Sequence, residues 1–273
     1  MYHDVVPSGA EDASGFPGRD AALYKITPEL FEAHLSAITT RARGDRSNPP
    51  APPALPAPSA HPAHPDRPAV LLTFDDGGIS AMTVAEMLER HRLTGFFFVT
   101  VNYLGAPGFL TPSNLRDLRR RGHVIGSHSC SHPLRMGHCP LSRVLEEWTR
   151  SRAAIADALG EEPVDASVPG GDFAPHVAKA AAAAGFTRLF TSEPVRGPQQ
   201  AHGLILHGRF AIQRWTSART AAALAAGSRA ACARQAVAWT AKKIGKQLGG
   251  ARYLDVRRLL LRHRNEVRWG DQR

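Results

Sequence analysis

Two acidic residues and two histidines in this chain could hold a divalent metal ion. Asp75 and Asp76 follow an apolar stretch and precede a glycine pair, and adjacent carboxylates repel unless a cation accompanies them. His128 and His132 are four residues apart, a spacing that lets two imidazoles face one way on a helical turn. Two imidazoles and one carboxylate leave metal positions open for water. The pattern predicts metal-assisted hydrolysis, with one Asp as ligand and the other as base.

Other interpretations of these residues stay open. Asp-Gly is a common turn dipeptide, so the carboxylates could belong to a solvated turn. The chain has 13 histidines, and a surface loop could contain two of them by chance. Cys130, His138 and Cys139 could instead join the histidines in a structural zinc site. That set matches no common zinc-ribbon spacing and leaves the Asp pair unexplained.

Alternating strands and helices would position these residues. Apolar runs predict strands at 2–6, 70–74, 95–101, 123–126, 165–168, 187–190 and 203–212. Helical spacing and caps predict helices from Thr27-Pro28 and over 80–92, 112–122, 140–159 and 175–184. Repeated βα units predict a parallel α/β sheet, open or closed into a barrel, with functional groups where strands end. Both candidate clusters follow a predicted strand.

Two motifs resemble those of the polysaccharide deacetylase family (NodB homology domain, carbohydrate esterase family 4). Its first motif, Thr-Phe-Asp-Asp-Gly, is matched at 73–77, and its second, His-Ser/Thr-x-x-His, at 128–132. The resemblance covers roughly residues 1–215 and implies a distorted (β/α) barrel of the NodB type. It also implies that Asp76, His128 and His132 bind a divalent metal, zinc or else cobalt, nickel or manganese. Asp75 would be the general base.

The third motif of the family departs from its pattern in this chain. The family has Arg-x-Pro-aromatic-Gly, whereas this chain has Ser167, Val, Pro169, Gly170 and Gly171. We expect that losing the guanidinium changes how Asp75 is tuned and that losing the ring widens the sugar site. Pro169, Gly170 and Gly171 are predicted to contact substrate, with a Gly170 N–H available for an oxyanion hole. A plain turn is the alternative.

The fifth family motif, Leu-x-His, is approximated by Ile-Leu-His at 205–207, and the fourth has no clear match. By the resemblance, His207 would be the general acid that protonates the leaving amine, a role suited to a side chain with a pKa near 6.5. A strand-end histidine without catalytic role is the alternative, and His202 is the second candidate. His3 and Asp4 are interpreted as a structural pair that could approach the site.

The net charge of +10 comes from one end of the chain. Residues 217–273 contain 13 basic and 3 acidic residues, and the rest is neutral. We predict a catalytic domain over 1–216, with a proline-rich insertion at 48–68, and a basic helical extension over 217–273. The extension could dock on an anionic membrane surface, and without interleaved aromatic residues no nucleic-acid binding is expected.

The sequence also bears on location. No apolar run approaches the roughly 20 residues of a transmembrane segment, no secretory leader is seen, and three cysteines are too few for a disulfide framework. These features predict a cytoplasmic location, peripheral to the inner membrane if the basic extension binds lipid.

These observations lead to one functional hypothesis and two alternatives. The hypothesis is a metal-dependent hydrolase that removes N-acetyl groups from amino sugars of a polysaccharide, an oligosaccharide or a lipid-linked glycan precursor. The first alternative is hydrolysis of another C–N bond, such as a cyclic amide or ureide, by the same metal core. The second is a catalytically inactive carbohydrate-binding homologue.

Overall fold

The computed structural model describes residues 1–44 and 70–241 of the chain. The first compact unit is Met1–Cys232 and the second is Ala233–Arg273. The predicted proline-rich insertion and most of the basic extension lie outside the described residues. Residues 229–241 are helical.

Seven strands form one curled sheet, a half-barrel that confirms the predicted α/β distorted-barrel fold. Their order is β1-β2-β3-β4-β5-β7-β6, and all neighbours are parallel except the β6–β7 hairpin. The strands are β1 (Leu72–Phe74), β2 (Gly95–Val99), β3 (Val124–Ser127), β4 (Asp165–Ser167), β5 (Arg188–Phe190), β6 (Pro198–Ala201) and β7 (Leu204–His207).

The N-terminal segment runs along the free edge of β1. The Tyr2 N–H donates to the Thr73 carbonyl at 2.7 Å, and the Asp75 N–H donates to the Tyr2 carbonyl at 3.1 Å. On its other side, the Ile212 N–H donates to the Met1 carbonyl at 2.9 Å. The predicted strand over 2–6 is thus reduced to single bridges at Tyr2 and Val5, yet these bonds carry the sheet from β1 to the segment that follows β7.

Besides the helical residues 229–241, seven helices of the described residues accompany the sheet. They are α1 (Arg19–Ala22), α2 (Pro28–Gly44), α3 (Ala81–Arg90), α4 (Pro112–Arg120), α5 (Leu141–Leu159), α6 (Pro175–Ala183) and α7 (Ala218–Ala225). Their termini follow the local sequence: Thr111 forms a capping box at the start of α4, and Gly160 at φ 75° ends α5. The predicted domain boundary at 216/217 falls just before α7, which packs on α2 within the first compact unit.

Strand β2 separates two apolar layers. Phe97 packs in the large cluster that includes α3 and α4, whereas Phe96 and Phe98 form a separate cluster with Phe190. Alternate side chains of a strand point to opposite faces, so a strand buried on both faces is apolar throughout. Gly126 is required opposite this layer, because a Cβ there would lie 2.6 Å from the Phe98 ring and 2.8 Å from the Asp165 carbonyl.

The last predicted strand, over 203–212, is shorter than expected and is preceded by one that the sequence analysis missed. Strand β6 is polar and exposed, with proline and two glutamines, so it lacks the usual strand composition. His202 and Gly203 both have positive φ in the turn to β7, as two-residue hairpin turns require. The strand ends at His207, and the following chain bonds the Glu193 carbonyl. Within the described ranges, no helix is long and apolar enough to span a bilayer.

Candidate metal centre

The predicted site residues gather at the carboxyl edge of the sheet. Asp75 and Asp76 directly follow β1, and His128 directly follows β3. Ser167 is the last residue of β4, and Arg209 lies two residues beyond β7. Carboxyl ends of neighbouring parallel strands meet at one edge, and this is why residues distant in sequence share one site.

Asp76, His128 and His132 bring three ligand atoms together. Asp76 Oδ1 lies 3.4 Å from Nε2 of His128 and 3.4 Å from Nε2 of His132, and all three atoms lie within 4.8 Å of one another. Ligands about 2.0–2.1 Å from a tetrahedral zinc ion are separated by about 3.3 Å. The donor set and its spacing therefore fit a divalent cation such as zinc, with room for further ligands.

The imidazole of His128 is oriented by the neighbouring strand. Its Nδ1 lies 3.0 Å from the carbonyl oxygen of Ser167, an acceptor, so Nδ1 carries the proton and donates. Nε2 is then the unprotonated nitrogen, which is the form that binds a metal. Residue 128 is almost fully buried, and the ring has this one orientation available.

The segment between the two histidines is not the helical turn that the spacing suggested. Ser129 and His132 both have positive φ, at 68° and 59°, and the segment is an irregular loop. The Ser129 hydroxyl accepts the His132 N–H at 3.0 Å. The local bond and the two left-handed residues return the chain so that both rings face Asp76.

Glu147, on α5, fixes this loop from behind. One carboxylate oxygen accepts the backbone N–H groups of Cys130 and Ser131 at 2.9 and 2.7 Å, and the other accepts the Ser131 hydroxyl at 2.6 Å. Arg143 donates to it at 3.0 Å from the previous helical turn. The sequence analysis missed this residue, although an acid on the apolar face of a helix, beside Val144 and Trp148, is a signal that a buried partner exists.

The ring of His132 is supported by an aromatic side chain from the N-terminal region. Phe16 packs on it with centroids 4.8 Å apart, and Tyr103 and Phe109 pack on Phe16 in turn. The buried ammonium of Lys25 donates to three backbone carbonyls of this segment, including that of Phe16 at 2.7 Å. The loop that carries Phe16 is thereby held against Lys25, next to the bridge between Val5 and Ile26.

Asp75 is paired with a guanidinium that the sequence analysis did not find. Arg209 donates to Asp75 Oδ1 at 2.7 Å and to Oδ2 at 2.9 Å, in a bidentate pair. It also donates to the Ser167 hydroxyl at 2.7 Å. The expectation that Asp75 lacks a guanidinium partner was therefore wrong: the segment that follows β7 supplies the group that the third motif lacks.

Opposing effects set the charge state of the site. Burial raises the pKa of Asp75, but the Arg209 guanidinium together with His128 and His3 outweighs burial, and the pKa is lowered. Burial likewise raises the pKa of Asp76, and the imidazoles of His128 and His132, which donate to Asp76 when they are protonated, reverse this and hold the pKa well below its usual range. Burial disfavours the charged form of His128, yet Asp75 and Asp76 raise its pKa above the ordinary 6.5. Both carboxylates are ionised at neutral pH.

The remaining predicted residues lie at the same edge of the sheet, apart from His202. Pro169, Gly170 and Gly171 form a turn directly after β4, where Gly170 has φ 64° and a Cβ would lie 2.6 Å from the Leu134 carbonyl. The ring of His207 stacks on Phe190 at 4.8 Å. Their substrate-binding and acid roles stay predictions. His202 is in the hairpin turn at the opposite end of β7.

His3 is closer to the site than the sequence analysis assumed. It follows Tyr2, which is bonded to β1, and it interacts electrostatically with Asp76, Asp75 and His128. Burial lowers the pKa of His3 despite the two carboxylates, so its ring is neutral at pH 7. Its Nδ1 is buried without a hydrogen-bond partner.

The alternative zinc site is not assembled. Cys130 Sγ contacts Asn102 Oδ1 at 3.0 Å, and His138 Nδ1 pairs with Asp172 at 2.9 Å. Across residues 1–44 and 70–241, Asp76, His128 and His132 form the one group of three or more such side chains spaced for a shared metal ion.

Comparisons with known proteins agree with this geometry. The polysaccharide deacetylase family model matches residues 63–189. Peptidoglycan-N-acetylglucosamine deacetylase PgdA of Listeria monocytogenes is 32% identical over 104 residues, which are 37% of this chain and 21% of that protein. Peptidoglycan-N-acetylmuramic acid deacetylase PdaA of Bacillus subtilis is 38% identical over 66 residues, 23% of this chain and 24% of that protein.

A solved structure extends the similarity of fold beyond these segments. IcaB from Ammonifex degensii superposes with a TM-score of 0.61 at 23% identity, over 82% of this chain and 94% of that one. The alignments to the curated relatives span only about a fifth to a quarter of their length.

Replacing Glu147 with glutamine should weaken metal binding. The amide presents one oxygen instead of two, and its NH2 group opposes the N–H donors of the loop. Because groups that orient ligands influence affinity by about 10- to 100-fold, we expect a loss of that size in a chelator-competition titration. Glu146→Gln is the matched control, since Glu146 is half exposed and pairs with Arg150 on the surface. Equal affinities for the two variants would contradict the role of Glu147.

Metal affinity should also depend on pH in a defined direction. A metal binds the neutral imidazole. Because the pKa of His128 is raised above 6.5, His128 is protonated at pH 6.5 and must release that proton when a metal binds. We expect the apparent affinity to fall at least about tenfold per pH unit below that pKa, because each imidazole that must release a proton contributes about tenfold, while Asp76 stays ionised. His138→Ala, at an exposed histidine, should leave the slope unchanged. An affinity that is constant between about pH 5.5 and pH 7.5 would refute this.

Proposed function

This chain belongs, through residues 63–189, to the polysaccharide deacetylase family, and on that premise we propose that it is a metal-dependent hydrolase that removes N-acetyl groups from amino sugars of a glycan. The observation that carries the proposal is the set Asp76, His128 and His132, with the second carboxylate, Asp75, beside it and paired to Arg209. The printed names of PgdA and PdaA specify acetylated sugars of peptidoglycan, which supports this class of substrate.

Each residue then has a distinct task. Asp76, His128 and His132 would hold the cation, zinc being the first candidate. When bound, such a cation supplies Lewis acidity, lowering the pKa of a coordinated water and polarising the acetyl carbonyl. Asp75 takes the proton of the attacking water. It is ionised, and its Oδ2 lies 4.0 Å from Nε2 of His128, a metal-ligating atom, so it is next to the place where a metal-bound water would be. A histidine then gives a proton to the leaving amine.

The alternative of cyclic amide or ureide hydrolysis is favoured by the two departures in the third motif, the missing guanidinium at Ser167 and the missing ring at Gly170, because those groups shape the sugar site of the family. Arg209 restores a guanidinium beside Asp75, so one of those two reasons no longer applies. The second reason, the missing aromatic ring at Gly170, still applies. The shape of the substrate site therefore decides between an acetylated sugar and a small cyclic amide as substrate.

Acetate release tests the proposal directly. The zinc- or cobalt-loaded chain should release acetate from N-acetylglucosamine oligomers and from peptidoglycan fragments, and small cyclic amides should be turned over more slowly. Asp75→Asn should keep its metal but lose about 10²- to 10⁴-fold in kcat, because an amide cannot accept the proton. His128→Ala should lose metal and activity together, and His138→Ala serves as the control. Metal binding without turnover of any substrate would favour the inactive carbohydrate-binding homologue.

The identity of the general acid needs a separate comparison. Glutamine at position 207 removes the proton that the resemblance assigns to His207, so His207→Gln should lose about 10²-fold or more in kcat with its metal retained. His3→Gln is the parallel variant, because His3 is within electrostatic reach of both carboxylates. A His207→Gln rate within about threefold of the wild type, with a large loss in His3→Gln, would transfer the role to His3.

A further inference from the structure

The side chain of Arg209 is buried and fully hydrogen-bonded. The residue is 5% exposed, and all five of its N–H donors have acceptors. Beyond the two bonds to Asp75, Nε donates to the Thr191 carbonyl at 3.0 Å, and Nη1 donates to the Thr73 hydroxyl at 3.3 Å. The remaining donor, on Nη2, reaches Ser167 Oγ at 2.7 Å. The guanidinium therefore has one orientation, which fixes Asp75.

Aromatic rings enclose this guanidinium. Its Cζ lies 5.6 Å from the centroid of Phe98 and 5.9 Å from that of Phe190, within the range of cation–π attraction. Both rings belong to the apolar cluster opposite the helices. In these apolar surroundings the charged guanidinium of Arg209 needs a carboxylate partner, and the ionised carboxylate of Asp75 needs the guanidinium.

The position of Asp75 makes this pairing consequential for metal binding. Asp75 adjoins Asp76 in sequence, and its Oδ2 lies 4.0 Å from Nε2 of His128, a ligand atom. A carboxylate at that distance and free to turn would compete for an open metal position, since carboxylate oxygens bind zinc readily. The bidentate bonds from Arg209 engage both of its oxygens instead.

Ser167 is the residue that makes room for the guanidinium. Its side chain is fully buried, its Oγ lies 3.4 Å from both oxygens of Asp75, and it accepts a bond from Arg209. A long side chain at position 167 would occupy the space that Arg209 now fills. The residues at 167 and 209 are thus complementary in size around one carboxylate.

We propose that Arg209 is a positioning residue that keeps Asp75 out of the ligand set of the metal, and that Ser167 is the small partner that admits it. The consequence for turnover rests on the proposed function, because it assumes that Asp75 acts as base. The consequence for metal coordination does not, so cobalt can report on it without any substrate.

The test compares Arg209→Gln with a matched control, Arg188→Gln. Arg188 also forms a bidentate pair, with Asp165 at 2.5 and 2.7 Å, and lies 5.8 Å from the Phe96 ring. The pair it forms is at the other end of the strands. In the cobalt-loaded proteins, Arg209→Gln should change the intensity and position of the d–d absorption bands as Asp75 joins the metal, whereas Arg188→Gln should keep the wild-type spectrum.

A double variant assigns the cause to Asp75. In Asp75→Asn/Arg209→Gln the added ligand is gone, so the spectrum should return to that of Asp75→Asn alone. If Arg209→Gln matches the wild-type spectrum, or if the double variant keeps the altered one, the proposal is overturned. Arg209→Met is the second variant should Arg209→Gln fold poorly: a thioether has no N–H or O–H to donate to either oxygen of Asp75, so an unaltered spectrum there also overturns it.

Exchange of the two residues tests the role of Ser167. Arg209→Ser should show the altered spectrum, and Ser167→Arg/Arg209→Ser should recover much of the wild-type spectrum by supplying the guanidinium from β4. A double variant no better than Arg209→Ser overturns the pairing of these positions.

Turnover provides the remaining readout. With metal saturated, Arg209→Gln should lose about 10- to 100-fold in kcat with KM within about threefold, and equal kcat values for Arg209→Gln and Arg188→Gln would contradict the positioning role. If the wild type releases acetate from no substrate, the proposed function fails, whereas the cobalt spectra still decide the role of Arg209.

Discussion

Two consecutive carboxylates are buried at one edge of the half-barrel, and the site follows from the need to compensate both. Asp75 and Asp76 are 4% and 8% exposed, and a buried charge without a partner costs several kcal/mol. Asp76 is approached by two imidazoles, which can share a cation with it. Asp75 is paired with Arg209. Because the partners differ, two identical side chains acquire different chemical roles.

One residue of strand β4, Ser167, contacts both the metal-binding residues and the Asp75–Arg209 pair. The carbonyl of Ser167 orients His128 on the metal side, and its hydroxyl accepts a bond from Arg209 on the base side. A shift of β4 would therefore move a ligand and the base together. Two residues outside the ligand set hold His132 in place: Glu147 fixes the loop that carries it, and Phe16 packs on the His132 ring.

The sequence was sufficient for the parts of the site that depend on local pattern. Short apolar runs followed by Asp-Asp-Gly or by spaced histidines predicted strand ends, and parallel strands place such ends together. Residues whose partners are distant were harder to assign. Arg209 was only part of the predicted strand over 203–212, and the end of β7 at His207 was needed to show that its partner is Asp75. Strand β6 was missed because a polar edge strand is specified by its pairing rather than its composition.

Other expectations depend on residues beyond the described ranges. The proline-rich insertion and the membrane-docking role of the basic extension stay predictions, as does the cytoplasmic location.

Anomalous diffraction at the zinc edge, from crystals of the zinc-loaded protein, tests the central claim most directly. It should show one ion bound by Asp76 and by Nε2 of both histidines, with Asp75 unligated and in its bidentate contact with Arg209. An ion bound elsewhere, or one bound by Asp75, would contradict this account.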